Sequence, residues 1–297
     1  MDLRNTRTII LNAGDASAKR EEIRQYFHAT YSLDEQLYET LASEAAFYLR
    51  PEPLRHPLIF YLGHTATFYI NKLIVAKITN QRINPRFESM FAVGVDEMSW
   101  DDLNAANYDW PALAEVKAYR DTVRAVVDET IRTMPLVMPI HWDHPFWVIL
   151  MGIEHQRIHI ETSSVIIRRL PIELVRQLPL WSICPLAGEA PANELVPVAG
   201  GRVVLGKSKD HPLYGWDNEF GRQEHGVWDF LASRFLVSNQ EYLSFVEDRG
   251  YEREEYWTPE GWKWVGYSQA RHPLFWVESP DGYRLRTMAQ IIDMPWD

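Results

Sequence analysis

The stretch Leu150–Ser164, LMGIEHQRIHIETSS, decides how the rest of the chain is read. It sets two histidines four residues apart within a segment of helical character that extends from Asp143 to Leu170. At about 100° per residue, His155 and His159 lie about 40° apart around the helix, so both imidazoles leave from one face. Met151, Gly152 and Thr162 share that face, and Gly152 leaves room beside it. Glu161 falls about 120° from the nearer histidine and is a poor direct ligand; it is placed to hydrogen-bond a ligand from a neighbouring helix, or to pair with Arg157. Two readings of the histidine pair stand at this point: a metal-binding couple, or two polar side chains on a solvated or core-lining face. A third ligand is needed to separate them.

Composition narrows the classes of function. The chain has 297 residues, 41 acidic and 30 basic, and its net charge of −11 argues against a nucleic-acid coat or a binder of anionic membranes. A small substrate or a protein partner fits better. The single cysteine, Cys184, excludes an internal disulfide framework and a cysteine-based zinc cluster, so histidines and carboxylates must hold any metal. The N-terminal MDLRNTRTII lacks the apolar run of a signal peptide and no membrane-length apolar span occurs, so a cytoplasmic protein is expected. The length suggests two domains on a prior of ~150 residues each, and Trp and Gly crowd into the last third, which marks the boundary.

Outward from the histidine helix, apolar spacing predicts helices over Ala16–Thr30 and Leu33–Tyr48, the second opened by a capping box of Ser32 and Glu35. Further helices are expected over His56–Thr79 and Trp110–Met134, and Asp143 is placed to cap the last one, with Pro145 in its first turn. Four long helices with a long crossover loop make a bundle, and bundles build metal sites from facing helices. His64, mid-helix on the face of Phe60, Phe68 and Asn71, is the candidate third imidazole that an antiparallel helix pair could bring to the other two; the other reading is a satisfied histidine among aromatics. Imidazole suits iron, zinc, copper and nickel alike, so residue type does not name the metal. The crossover, Asn80–Asp109, reads as a long ordered loop in which Arg82 and Arg86 are candidates to grip a substrate carboxylate, with Glu88 between the helices. Prolines between Pro171 and Pro197 form a linker, and the rest is a Gly-punctuated α+β region with a helix opened by Ser238 and a turn at Pro280-Asp281-Gly282. His141, His144, His211, His225 and His272 default to surface or packing roles, and Trp216–Glu219 to a structural turn.

These residues carry a resemblance. His64 with the His-x-x-x-His-x-Glu of His155, His159 and Glu161 resembles the iron motif of the sulfoxide synthases that make ergothioneine and ovothiol, whose N-terminal domain is a DinB-like four-helix bundle. YGWDNEFG (Tyr214–Gly221) and VSNQEYLSFVEDRGY (Val237–Tyr251) resemble the opening half of the C-type-lectin-like domain of formylglycine-generating-enzyme type that follows it. Within the family, RPEPLRHPLIFYLGHTATFYINKL (Arg50–Leu73), GVDEMSWDDLN (Gly94–Asn104) and GIEHQRIHIETSSVIIRRLP (Gly152–Pro171) look most like the ovothiol branch, the 5-histidylcysteine sulfoxide synthases.

The resemblance implies an α plus α+β protein: a DinB-like bundle over residues 1–175, a Pro-rich linker over 176–195 and part of a lectin-like domain over 196–297. It implies Fe(II) on His64, His155 and His159, with Glu161 behind them. The reaction implied is O2-dependent coupling of L-cysteine to the imidazole of L-histidine, with no nucleic-acid or membrane partner. The family's tyrosine falls beyond residue 297, so no catalytic tyrosine is carried over, and a C-terminally truncated chain is expected. Three alternatives accompany this reading: ergothioneine-type chemistry, a zinc or nickel thiol transferase or hydrolase on a DinB-like bundle, and a non-catalytic remnant.

Overall fold

The computed structural model describes residues 7–92, 108–184 and 191–296. The chain divides into two compact units, Met1–Trp181 with Leu205–Gln223, and Ser182–Val204 with Glu224–Asp297. The first is a helical bundle and the second a small β-rich unit.

Four long helices build the bundle: α1 (Ala16–Tyr38), α2 (Leu58–Val75), α4 (Leu113–Thr133) and α5 (Phe146–Arg169), with the short α3 (Pro85–Met90) in the crossover. They pack as a ring in which α2 touches α5 and α4, and α1 touches the same two. Helix α2 is apolar nearly all round, and its residues Leu58–Thr67 are buried without a break, as expected of a helix with neighbours on every side. Helix α4 shows the opposite pattern, a buried stripe of Leu113, Val116, Val123, Val127 and Ile131 with charged residues outside it.

Two local expectations are corrected. Ser32 does not start a helix: α1 runs unbroken through it from the N-cap Asp15, whose carboxylate accepts from the Ser17 and Ala18 amides. The Ser32 hydroxyl accepts instead from Arg124 on α4 at 2.8 Å, so tertiary structure takes the group that a cap would have used. The helix ends at Tyr38 rather than Tyr48; the Thr40 hydroxyl donates to the Leu37 carbonyl, a local bond that competes with helix continuation. At α5, Pro145 stands at the N-cap, and His144 Nδ1, rather than Asp143, accepts the Phe146 amide at 3.0 Å. In the crossover, Asn84 caps α3 through the Phe87 amide, while Gly94–Asn104 lies outside the described residues.

The β-rich unit holds short antiparallel pairings. Strand β1 (Leu195–Val198) pairs with β4 (Phe230–Ser233), and β2 (Gly201–Leu205) with β3 (Gln223–Val227). Strands β5 (Trp276–Ser279), β6 (Gly282–Arg286) and β7 (Ile291–Asp293) form a three-stranded sheet whose first turn uses the positive φ of Gly282. Helix α6 (Asn239–Glu247) opens with the expected capping box of Ser238 and Glu241, and α7 (Pro259–Ser268) follows. No helix among the described residues is long and apolar enough to cross a membrane.

Candidate metal centre

The bundle brings the three histidines together. His64 from α2 and His155 and His159 from α5 are 3 %, 6 % and 8 % exposed, and their ligand atoms all lie within 4.8 Å of one another. His155 Nε2 stands 3.1 Å from His64 Nε2 and 3.1 Å from His159 Nε2. His64 Nδ1 lies 2.6 Å from the Phe91 carbonyl. A carbonyl only accepts, so Nδ1 carries the proton and Nε2 presents a lone pair to the cluster. His155 stacks on Phe68, with centroids 3.6 Å apart at 9°, and its Nδ1 is buried with no hydrogen-bond partner among the described residues. The Thr162 hydroxyl sits 3.5 Å from His159 Nδ1.

Close approach of the helices makes this possible. A Cβ on Gly152 would run into the Tyr69 ring, and one on Gly63 into the Phe91 ring. Both glycines thus let an aromatic lie against a helix backbone within a turn of a histidine. Burial first, then the charges on His159, His64 and Lys72, hold His155 well below the usual imidazole range. Burial, then His64 and Arg55, lower His159 to about 3.

The donor set fits a metal ion. Two ligands 90° apart at about 2.1 Å from an ion are separated by about 3.0 Å, close to the spacing found between the Nε2 atoms. Without a cation the cluster is poorly satisfied, because a proton on His155 Nε2 can serve only one of its two neighbours. Neutral imidazoles with converging lone pairs are what a divalent transition metal requires.

A second polar cluster supports the first. Arg120, 1 % exposed on α4, donates to Asp34 on α1 at 2.8 Å and to the Leu62 carbonyl and Thr65 hydroxyl on α2. Gln156, next to His155, donates to the same Asp34 oxygen at 2.9 Å and accepts from the Tyr69 hydroxyl at 3.0 Å. One carboxylate therefore ties all four helices together one residue from two of the histidines' positions on α2 and α5. Sequence reading missed this hub. Its signal was Arg120 standing in the apolar stripe of α4, at a place where Leu or Val belongs.

The remaining expected residues lie elsewhere. Arg82 donates to Glu88 at 3.0 Å and to Asn71 at 3.4 Å, and Glu88 in turn accepts the Ile83 and Asn84 amides. Arg86 donates to the Asp109 carbonyl at 3.3 Å. Glu161 is exposed. None of the three lines the cavity beside the histidines.

That cavity, about 920 Å³, is lined by His64 and His155 together with Phe68, Lys72, Trp147 and residues of Tyr214–Phe220. The last segment lies beyond the proline-rich linker in sequence yet belongs to the helical unit. The Leu11 amide donates to the Pro212 carbonyl at 2.7 Å, and Tyr214 packs on Trp147 with centroids 4.8 Å apart. Trp216–Glu219 forms the expected turn, with the Trp216 amide donating to the Glu219 carboxylate at 2.6 Å, and also contributes cavity wall.

Residues 26–163 match the DinB superfamily, a span that covers nearly all of the four-helix bundle. Hercynine oxygenase of Mycolicibacterium smegmatis is 29 % identical over 260 residues, 86 % of this chain and 56 % of that protein. Hercynine oxygenase of Mycolicibacterium thermoresistibile is 27 % identical over 83 % of this chain and 52 % of its own length. Ergothioneine biosynthesis protein 1 of Neurospora crassa is 26 % identical over 69 % of this chain and 25 % of its own length. The chain thus spans about half the length of its bacterial relatives. The relatives are of the ergothioneine type, and the narrower expectation of the ovothiol branch finds no counterpart among them. The helical unit is thus similar to the DinB superfamily and the chain to hercynine oxygenases and ergothioneine biosynthesis protein 1, and that unit carries a buried three-histidine cluster.

Proposed function

We propose that this chain is a non-haem iron sulfoxide synthase that uses O2 to join a thiol sulfur to an imidazole carbon of a histidine-derived substrate. The observation that carries the reading is the convergence of three buried imidazole nitrogens on the wall of an aromatic cavity. In the net reaction an S–H and a C–H bond break and a C–S bond forms. One oxygen atom ends on sulfur and the other leaves as water, so four electrons from the two organic reactants reduce O2.

Bound by His64, His155 and His159, Fe(II) would supply open coordination positions for the thiolate and for dioxygen. The protein's own residues prepare that site. Burial keeps His155 and His159 neutral, and so competent as ligands, at ordinary pH. The Phe91 carbonyl fixes the His64 tautomer, and the Asp34–Arg120–Gln156 hub holds α2 and α5 in register. Phe68 and Trp147 give the cavity beside the histidines apolar wall. Arg86, exposed at the edge of α3, would meet a substrate carboxylate only from outside the cavity; Arg82 serves mainly to hold Glu88.

Among imidazole substrates hercynine stands first, because the bacterial relatives are hercynine oxygenases. A second reading is 5-histidylcysteine sulfoxide formation from L-cysteine and L-histidine, favoured by the ovothiol-like wording of Arg50–Leu73 and Gly152–Pro171. The test is anaerobic reconstitution with Fe(II), then a thiol, either imidazole substrate and O2, with products read by mass spectrometry and a His155→Ala control. A sulfoxide adduct lost in the control supports the function, and the preferred imidazole separates the two readings. Iron binding without any adduct rejects sulfoxide synthesis, and thiol-dependent turnover without O2 would favour a transferase.

A further inference from the structure

The three histidines are alike as ligands and unlike in what stands behind them. His64 Nδ1 donates to the Phe91 carbonyl, His159 Nδ1 has the Thr162 hydroxyl beside it at 3.5 Å, and His155 Nδ1 is buried with no hydrogen-bond partner among the described residues. Neither His155 nor His159 has a carboxylate on its outer nitrogen among those residues. A carboxylate in that place makes an imidazole a stronger donor and favours the more highly charged form of a bound ion; a neutral group, or none, does the reverse.

The formal charges that act on the cluster are positive. Lys72, about two turns past His64 on α2, is half-buried and lines the cavity, with its Nζ 5.1 Å from the centre of the Phe68 ring. The same ring stacks on His155, centroids 3.6 Å apart at 9°. Ammonium, phenyl ring and imidazole thus follow one another in direct contact. The charge of Lys72 acts on His155, and that of Arg55 acts in the same sense on His159. Although the chain carries a net charge of −11, no carboxylate pairs with Lys72 among the described residues. A half-buried ammonium left unpaired in an acidic chain is unfavourable for folding by itself, which points to a role at the cluster.

An ion held by three neutral imidazoles keeps its whole charge, two units when reduced and three when oxidised. Burial and a nearby cation both disfavour the third unit more than the second.

We propose that Lys72, acting across the Phe68 ring, is a positioning residue that holds the ion of the three-histidine site in its divalent state by raising the potential of the Fe(III)/Fe(II) couple. This rests on the reading of the cluster as an iron site. His155, with no acceptor on its outer nitrogen, is the ligand through which the charge acts. Phe68 is the low-dielectric path between the two, so the charge is screened far less than it would be through water.

The test is a spectroelectrochemical titration of the iron-loaded full-length chain, with calorimetric titration of the metal-free chain by Co(II) beside it. Lys72→Met is expected to raise the Fe(III)/Fe(II) ratio at a fixed potential about tenfold, a fall of about 59 mV in midpoint. Lys72→Glu should raise it about a hundredfold, a fall of about 118 mV, and Lys72→Arg should return it to within about twofold of the unaltered chain. Phe68→Leu should fall between Lys72→Met and the unaltered chain. Co(II) affinity should be kept or rise in Lys72→Met, by no more than about threefold. A lysine with a merely structural role would instead lower Co(II) affinity together with the melting temperature, and would leave the midpoint where it was. An unchanged midpoint in both Lys72→Met and Lys72→Glu overturns the proposal, and weaker azide binding in those same variants would make Lys72 an anion site instead. A chain with no His155-dependent metal uptake overturns it as well. The proposed activity fails separately: a midpoint that follows the charge at position 72 in a protein that makes no sulfoxide removes the coupling reaction and keeps the role of Lys72. Sulfoxide formation with a midpoint indifferent to that charge does the reverse.

Discussion

The helical and β-rich units differ in where their apolar side chains go. In the bundle, Phe27, Tyr31, Ile59, Phe60, Tyr69 and Phe146 are all within 1 % of full burial, and even the guanidinium of Arg120 is enclosed. In the β-rich unit Trp228 is 88 % and Leu236 94 % exposed, and both strands of the β1–β4 ribbon expose large apolar residues. Its order comes from local devices: a capping box at α6, the Tyr242–Tyr251 hydroxyl pair at 3.0 Å and the Trp257 indole on the Gly250 carbonyl at 2.7 Å. Position within a packed lattice governs the first unit, and short-range geometry the second. Substitutions should therefore act very differently in the two.

The largest effect is expected at the hub. Arg120→Met removes one member of a buried pair and strands the Asp34 carboxylate, so it should cost about 3–5 kcal/mol in urea unfolding followed by far-ultraviolet circular dichroism. Arg120→Met with Asp34→Leu should recover a large part of that loss, and a single variant losing under about 1 kcal/mol would mean the hub is not structural. Gly152→Ala comes next. The Tyr69 ring must shift to admit the methyl group, at about 1–3 kcal/mol, and Fe(II) affinity should fall with it because His155 is three residues away.

Acid provides the third contrast. The His155 and His159 pKa values are lowered on folding, so the unfolded chain takes up protons that the folded bundle refuses. The stability they leave intact above the ordinary imidazole value of 6.5 is lost progressively as pH falls from 6.5 towards the folded value of His159, about 3. Thermal melts of the metal-free chain between pH 7.5 and 5 should show this destabilisation, and a His155→Ala/His159→Ala variant should show less of it. The smallest effect is expected in the β-rich unit, where Leu236→Ser removes an exposed side chain and should stay within about 0.5 kcal/mol. A loss above 2 kcal/mol would mean that this residue is covered in solution.

How much was legible in the sequence follows the same division. The histidines at i and i+4 on α5, and His64 on a helix apolar enough to be central, could be read because helical periodicity fixes faces over long runs. The hub could not, since Asp34 and Gln156 look like ordinary helix-surface polar residues until four helices are assembled around Arg120. Ser32 misled for a related reason: its capping pattern is local, and Arg124 from another helix claims the hydroxyl. The return of Tyr214–Phe220 to the bundle left no periodic signature at all. It depends on contacts with Leu11 and Trp147, each more than 60 positions away along the chain.

The bond from His64 to the Phe91 carbonyl bears on how this site could be lost over generations. An acceptor that belongs to the peptide backbone is present whatever amino acid is encoded at position 91, so no codon change there can delete it. A histidine oriented by a glutamate or an asparagine would be one nucleotide away from losing its orientation. Here the vulnerable changes are those that displace the main chain: an insertion or deletion between Asn80 and Phe91, or a bulkier residue than Gly63 beneath the Phe91 ring. Drift by single substitutions in that segment should leave the tautomer of His64 untouched long after other features have changed.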